Sequence, residues 1–253
     1  MNKLDFGNVF NDAFEIYKKS FAPMALAIAI VFAVFLVLYL AFFPLLFGLG
    51  FMEYFALAAE DPGYVAAISQ SPRYLLVMAL FGLLMSAVIA PLTAGLINMC
   101  RNVKHNIPIS TGQLFHYYKS KYLGNLLVAS LIISLVSSVF SVTFQSIGMP
   151  VLVYIPTLLI TTFTIVMIPL IIYKENNATD AIKNSFNAVG TNFMVVLGLV
   201  IVGFVCACVG AIACGIGIIF TFPFYFAIQY SIFAHLLGDE TYHEIDEIGK
   251  EGL

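Results

Sequence analysis

The side chains best suited to bind a polar ligand form a row of hydroxyls within an otherwise apolar part of the chain. The row continues from one apolar stretch into the next and comprises Ser130, Ser134, Ser137, Ser138, Ser141, Gln145, Thr157, Thr161 and Thr164. Hydroxyl and amide groups on one helix face can bind a lipid headgroup or a small solute. The alternative is that they join neighbouring helices, at about 0.6 kcal/mol per hydrogen bond. The sequence favours this alternative, because serine is common at helix contacts in membranes.

Cysteine and histidine, the other residues with ligand chemistry, show no spacing typical of a metal site. The cysteines are predicted to pack as small apolar side chains: Cys100, Cys206, Cys208 and Cys214. The histidines are predicted to be solvated or to face lipid headgroups: His105, His116, His235 and His243. An intramembrane enzyme would need a base beside the serines, and no carboxylate or histidine lies at their depth. No catalytic residue, metal or cofactor is therefore expected.

The composition indicates the class of protein. Of the 253 residues, 61% are hydrophobic and only 10% are charged, which is not the balance of a water-soluble domain. The net charge of −3 offers no basic surface for nucleic acid. The chain is therefore predicted to be an all-α integral membrane protein.

Six apolar runs are long enough to cross a hydrocarbon core about 30 Å thick. They are residues 22–49, 74–100, 123–148, 151–173, 193–214 and 216–237. None of them contains Asp, Glu, Lys or Arg, which disfavours a proton-coupled or ion-coupled pump. Of the 11 Lys and Arg residues, all but Arg73 fall on the side that carries both termini. The positive-inside rule places that side in the cytoplasm.

An amphipathic segment precedes the first, third and fifth runs. Each is predicted to be an interfacial helix whose lipid-facing side chains are Phe6, Phe10, Phe14 and Tyr17 in the first, Phe115 and Tyr118 in the second, and Ile182 and Phe186 in the third. The predicted N-caps are Asp5 and Asn177, and Ser110 with Gln113 is a predicted capping box. The pattern indicates three repeats of interfacial helix and transmembrane hairpin, at residues 5–100, 110–173 and 177–238. Unrelated juxtamembrane helices would give a similar pattern.

Two further segments have patterns that suggest contacts: the small residues of the fifth run and the acidic tail after the last run. Small residues recur every four positions in the fifth run and predict close approach of another helix: Gly203, Ala207, Ala211 and Gly215. A single membrane domain at residues 1–238 is followed by an acidic tail at 239–253. The tail is predicted to be a solvated segment, or alternatively a docking segment.

Four segments carry a resemblance to a known family. They are residues 5–21, 91–96, 169–175 and 181–185. Together they resemble the membrane domain attached to some glycerophosphoryl diester phosphodiesterases, and related uncharacterised bacterial inner-membrane proteins that consist of this domain alone. The resemblance covers nearly the whole chain and implies a location in the bacterial inner membrane. No soluble segment approaches the length of a catalytic domain, so the family's enzymatic activity is not expected here.

These features predict a non-catalytic, multi-pass inner-membrane protein. The expected role is that of an accessory or scaffold subunit, whose interfacial helices and acidic tail contact membrane lipids or other membrane proteins in a complex. The alternative is a transporter or lipid-handling protein that uses the hydroxyl row between the third and fourth runs.

Overall fold

The computed structural model describes residues 4–61, 63, 67–68, 70–212 and 217–239. Of the described residues, 86% are helical, and none of them forms a strand. Six helical stretches among the described residues are long and apolar enough to cross a membrane. The predicted all-α fold with six spans is thereby confirmed.

We number the α-helices in chain order. They are α1 (Phe6–Phe47), α2 (Phe51–Glu60), α3 (Pro72–Lys104), α4 (Leu123–Ser146), α5 (Tyr154–Thr164), α6 (Met167–Tyr173), α7 (Ala178–Gly190), α8 (Phe193–Ile212) and α9 (Ile218–Leu237). Two 3-10 helices, Thr111–Lys119 and Pro150–Val153, precede α4 and α5 respectively. The spans are α1, α3, α4, the stretch Pro150–Tyr173, α8 and α9.

Helix α1 combines two elements that the sequence analysis separated. It begins after Asp5, whose side chain accepts the backbone N–H of Asn8 at 2.8 Å, and continues without interruption through Pro23. A helix of this length extends about 63 Å, roughly twice the hydrocarbon core. No break in the helix separates the two elements at residue 22, and the Ser20 hydroxyl bonds back to the Ile16 carbonyl within the helix.

The fourth span is interrupted, whereas the sequence predicted one helix over residues 151–173. Helix α5 ends at Thr164 and α6 begins at Met167. Pro169 explains the break, because it has no N–H to donate to the carbonyl of Ile165 four residues earlier, and its ring crowds that carbonyl. Two side chains use the carbonyls at the break: Ser185 Oγ donates to Phe163 O at 2.6 Å, and Gln229 Nε2 donates to Ile165 O at 2.8 Å.

The three predicted repeats differ from one another in the structure. The first amphipathic segment is continuous with its span, the second is the 3-10 helix Thr111–Lys119, and the third is the separate helix α7. Asn177 caps α7 as expected, accepting Asp180 N at 2.8 Å. The capping box is wrong, because Ser110 makes no side-chain cap bond and the Gln113 side chain pairs with Asn102 instead. The threefold repeat stays a prediction.

Most of the buried core lies toward the side that carries Leu4 and Asp239, which we call the terminus side. It is formed by the first half of α1, the second half of α3, helix α6 and the second half of α9. One close approach there depends on glycine: a Cβ on Gly95 of α3 would lie 2.4 Å from the backbone oxygen of Leu114. The rest of α1 and α4 exposes large apolar side chains, as expected of surfaces that face lipid.

Candidate functional site: a hydroxyl-lined groove and a charge cluster

The predicted hydroxyl row lines a groove of about 320 Å³ between α3, α4 and the start of the fourth span. The polar lining consists of Ser134, Ser137, Ser138, Ser141, Gln145 and Thr157. The groove lies on the side away from the termini, since α4 ends there at Ser146. Ser134, its deepest hydroxyl on α4, is about 18 Å from Ser146 along the helix axis. The groove therefore extends for about 18 Å along α4 from the end of that helix.

The serine hydroxyls of this groove are not used to join helices. Ser134, Ser137, Ser138 and Ser141 make no side-chain hydrogen bond to any residue that the structure describes, and Thr157 Oγ1 bonds only to Val153 O of its own segment. The interhelical bonding favoured from the sequence is therefore not found at these serines. Hydroxyls without protein partners, partly exposed on a groove wall, can both donate to and accept from a ligand.

Three residues of the predicted row do not belong to the groove. Ser130 is buried and donates to Leu127 O at 3.0 Å within α4. Thr161 lies one turn beyond Thr157, outside the lining, and Thr164 bonds to Ile160 O. The sequence placed all these residues on neighbouring faces, but it did not show where the helices diverge.

The opposite wall of the groove is apolar and is shaped by a glycine. Leu75, Met78 and Ala79 of α3 face the hydroxyls, and a Cβ on Gly82 would lie 4.0 Å from Ser134 Oγ. No ionised side chain is among the lining residues. The groove is thus amphipathic and uncharged.

A charge cluster lies on the terminus side, around Asp239. Arg101 donates to both of its carboxylate oxygens, Nε to Oδ2 at 2.9 Å and Nη2 to Oδ1 at 2.8 Å. His105 Nε2 and the Tyr230 hydroxyl each lie 2.8 Å from Oδ2. Only 9% of the Asp239 side chain is exposed. Burial by itself raises the pKa of Asp239, but the hydrogen bonds that the carboxylate accepts outweigh it, so the pKa lies below the ordinary value.

A second acid, Asp12 of α1, lies on another face of the same end of α9. It pairs with Lys104, and its Oδ2 accepts the Ser231 hydroxyl at 3.3 Å and lies 3.5 Å from His235 Nε2. Together the two acids attach the ends of α1, α3 and α9 to one another. None of the residues of this cluster lines the hydroxyl-lined groove.

Predictions about charged residues are partly corrected by this cluster. His105 Nε2 lies 2.8 Å from the Asp239 carboxylate, with 22% of its side chain exposed, so it is not freely solvated. His235 is exposed, as predicted, although its Nε2 lies 3.5 Å from Asp12 Oδ2. His116 is also exposed and packs edge-on against Tyr117. Asp239, expected to begin a solvated tail, has only 9% of its side chain exposed. His243 and residues 240–253 lie outside the described residues. A signal was available in the sequence: Arg101 directly follows one apolar run, Asp239 follows another after Gly238, and both emerge on the same side.

The side chains predicted to be interfacial form half-exposed rows beside the bundle. Phe6, Phe10 and Phe14 stack with ring centroids 6.2 and 6.4 Å apart, and Phe10 also meets Phe224 of α9 edge-on at 5.5 Å. Tyr17 donates its hydroxyl to Phe220 O. The other members behave similarly: Phe115 is exposed, Tyr118 donates to Val88 O, Ile182 packs against the core, and Phe186 stacks on Phe163 at 4.8 Å.

The prediction of a small-residue stripe in α8 is partly wrong. Gly203 and Ala207 are buried, and a Cβ on Gly203 would lie 3.0 Å from the Tyr225 ring of α9. Ala211 is exposed, and Gly210 takes the buried position in its place, because 3.6 residues per turn move a strict four-residue stripe off the contact face. Gly215 lies outside the described residues. Cys100, Cys206 and Cys208 are free thiols, and no group of metal ligands occurs in the described part of the chain.

No protein family, curated protein or solved structure matches this chain. The resemblance to a membrane domain of the glycerophosphoryl diester phosphodiesterase type therefore stays a prediction.

Proposed function

We propose that this protein is a non-catalytic, lipid-handling membrane protein whose groove on the side away from the termini binds the headgroup of a polar lipid. The observation that carries this proposal is that Ser134, Ser137, Ser138 and Ser141 line a groove without a side-chain hydrogen bond to any residue that the structure describes. A polar wall within the hydrocarbon region is unfavourable unless a polar group occupies it. A headgroup satisfies the hydroxyls while its acyl chains stay in the bilayer.

The lining also indicates the kind of headgroup. The groove has several hydroxyls and no Lys or Arg to neutralise a phosphate. Hydroxyl groups pair well with other hydroxyls, because each can donate and accept. An uncharged polyol, such as the sugar of a glycolipid, fits this lining best.

Two parts of the sequence-based expectation remain proposals here. The distribution of Lys and Arg supports a location in the inner membrane with both termini in the cytoplasm. The accessory or scaffold role has less support, because the amphipathic segments use Val9, Ala13, Leu114 and Ala181 for packing within their own bundle. That use leaves less apolar surface for a partner.

The test is lipid retention by protein purified in nanodiscs that contain a glycosyl diacylglycerol. The variant Ser134→Ala with Ser138→Ala and Ser141→Ala removes hydroxyls from the groove, and Ser130→Ala is the matched control outside it. We expect the triple variant to lose about tenfold in affinity for the glycolipid by native mass spectrometry, with an unchanged melting temperature. Unchanged retention, or a loss that the control shares, would contradict the proposal.

A further inference from the structure

Helix α2 (Phe51–Glu60) lies on the side away from the termini, between the first two spans. Only residues 48–50 separate it from the end of α1. Three linking residues reach about 14 Å at most, so α2 must stay near the level at which α1 ends. The last turn of α1 exposes Leu45 on a surface that faces lipid. Helix α2 therefore lies beside an apolar surface that is already in the bilayer.

Three different faces run along α2, because successive residues of a helix project about 100° apart. One face packs on the protein and consists of the half-buried Tyr54, Leu57 and Ala58. A second, acidic face carries the exposed Glu53 and Glu60, which project within about 20° of each other. The third face covers about 140° of the helix and is wholly apolar. Its exposed members are Phe51, Met52, Phe55, Ala56 and Ala59.

The packed face fixes the direction in which the apolar face is turned. The ring centroid of Tyr54 lies 5.3 Å from that of Phe43 and 4.3 Å from that of Phe47, so α2 is attached to the end of α1. These contacts leave the apolar face uncovered, since Met52 is 80% exposed and Phe55 is 55% exposed. Large apolar side chains held in this way need an apolar surrounding.

The size of the apolar face disfavours a second protein, or a second copy of this chain, as its partner. A helix of ten residues is about 15 Å long and 10 Å across, so a face of 140° covers roughly 180 Å². A stable protein–protein interface buries about 800 Å² on each partner. The face also has no polar side chain that could recognise a protein. A lipid surface needs no minimum area here, because the spans on either side already hold α2 at the bilayer.

We propose that α2 is an interfacial helix of the leaflet away from the termini, which inserts Phe51, Met52 and Phe55 among the acyl chains. The acidic face, with Glu53 and Glu60, is turned to water. The insertion is apolar and not electrostatic, because α2 contains two acids and no Lys or Arg. The helix thereby holds the connected ends of α1 and α3 at one depth. This proposal does not depend on the hydroxyl-lined groove, whose lining contains no residue of α2.

Tryptophan fluorescence tests the proposal, because the chain contains no tryptophan and each variant therefore reports on one position. Phe55→Trp probes the apolar face, Glu60→Trp is the matched control on the acidic face, and Leu135→Trp is a lipid-facing reference near the middle of α4. The full chain is reconstituted in phosphatidylcholine vesicles that carry bromine, a quencher, at a shallow or a deep acyl carbon. We expect bromine to quench Phe55→Trp about threefold more strongly than Glu60→Trp. Shallow bromine should quench Phe55→Trp best, and deep bromine should quench Leu135→Trp best.

The other outcomes would overturn the proposal and identify what surrounds α2 instead. Quenching of Phe55→Trp by water-soluble acrylamide but not by bromine would show a solvated helix. Protection from both quenchers would show that a protein surface covers the face. Met52→Trp repeats the measurement at a position whose exposure makes misfolding no explanation for the result. Stronger bromine quenching after phosphatidylglycerol replaces part of the phosphatidylcholine would contradict apolar insertion, for which we expect no increase.

Discussion

The side-chain amide of Gln229 donates to the backbone carbonyl of Ile165 at 2.8 Å and so joins α9 to the gap between α5 and α6. Four residues after Ile165, Pro169 has no N–H to offer that carbonyl. An unpaired carbonyl within the bilayer would cost several kcal/mol. A residue of the last span therefore makes the interruption of the fourth span tolerable.

This relationship predicts a rescue. Gln229→Leu should destabilise the protein by about 1 to 3 kcal/mol, because it leaves the Ile165 carbonyl without a donor. The same substitution should cost less in a Pro169→Ala background, where the backbone can supply the donor. Thermal unfolding of the four proteins in one detergent gives the double-mutant cycle. Additive losses would show that the two residues act independently.

A second prediction concerns the charge cluster. Asp239→Asn should cost about 1.5 to 3 kcal/mol, because the Arg101 guanidinium loses a charged, two-point partner. Glu15→Gln is the matched control, since Glu15 is exposed on the terminus-side half of α1. The measurement is the unfolding midpoint near neutral pH. A loss of the same size in the control would contradict the assignment.

The lowered pKa of Asp239 predicts how the stability of the protein changes in acid. Because the native pKa of Asp239 is below its ordinary value of 3.8, the unfolded chain takes up the proton at a higher pH than the native chain. The stabilisation by the Asp239 carboxylate is therefore complete above pH 3.8. It is lost as the pH falls through the lower pKa of the native protein. The difference in stability between wild type and Asp239→Asn should shrink over this acid range and stay constant above it. Unfolding midpoints measured across pH check this, and a difference independent of pH would contradict it.

A matched pair of glycines tests packing in α3. Gly95→Ala should destabilise by about 1 to 3 kcal/mol, since its Cβ would meet the Leu114 backbone, which cannot rotate away. Gly82→Ala faces the open groove and should gain up to about 1 kcal/mol from helix propensity. Melting temperatures measured against the wild type show whether each substitution stabilises or destabilises the protein. Equal effects at both positions would show that Gly95 is not needed for the close approach.

The orientation can be tested directly. Single-cysteine variants at Asn106 and Asn176 should react only with reagents that reach the cytoplasm, and a cysteine at Glu60 should react from the other side. The native cysteines would first be replaced by alanine. Labelling of position 106 or 176 from outside the cell would overturn the proposed topology.

The sequence alone was enough to predict an all-helical membrane protein with six spans, because the length and hydrophobicity of each run are properties of that run. The face shared by Ser134, Ser138 and Ser141 was predictable for the same reason, since helical periodicity is local. Even the N-caps at Asp5 and Asn177 depend only on neighbouring residues.

Only the tertiary structure decided how these faces are used. Whether serines join helices or line a groove depends on how far apart two helices lie, which no single segment specifies. The pairing of Arg101 with Asp239 spans 138 positions, and that of Gln229 with Ile165 spans 64. Both pairs form because burial makes an unpaired charge or carbonyl costly, and burial is a property of the assembled bundle.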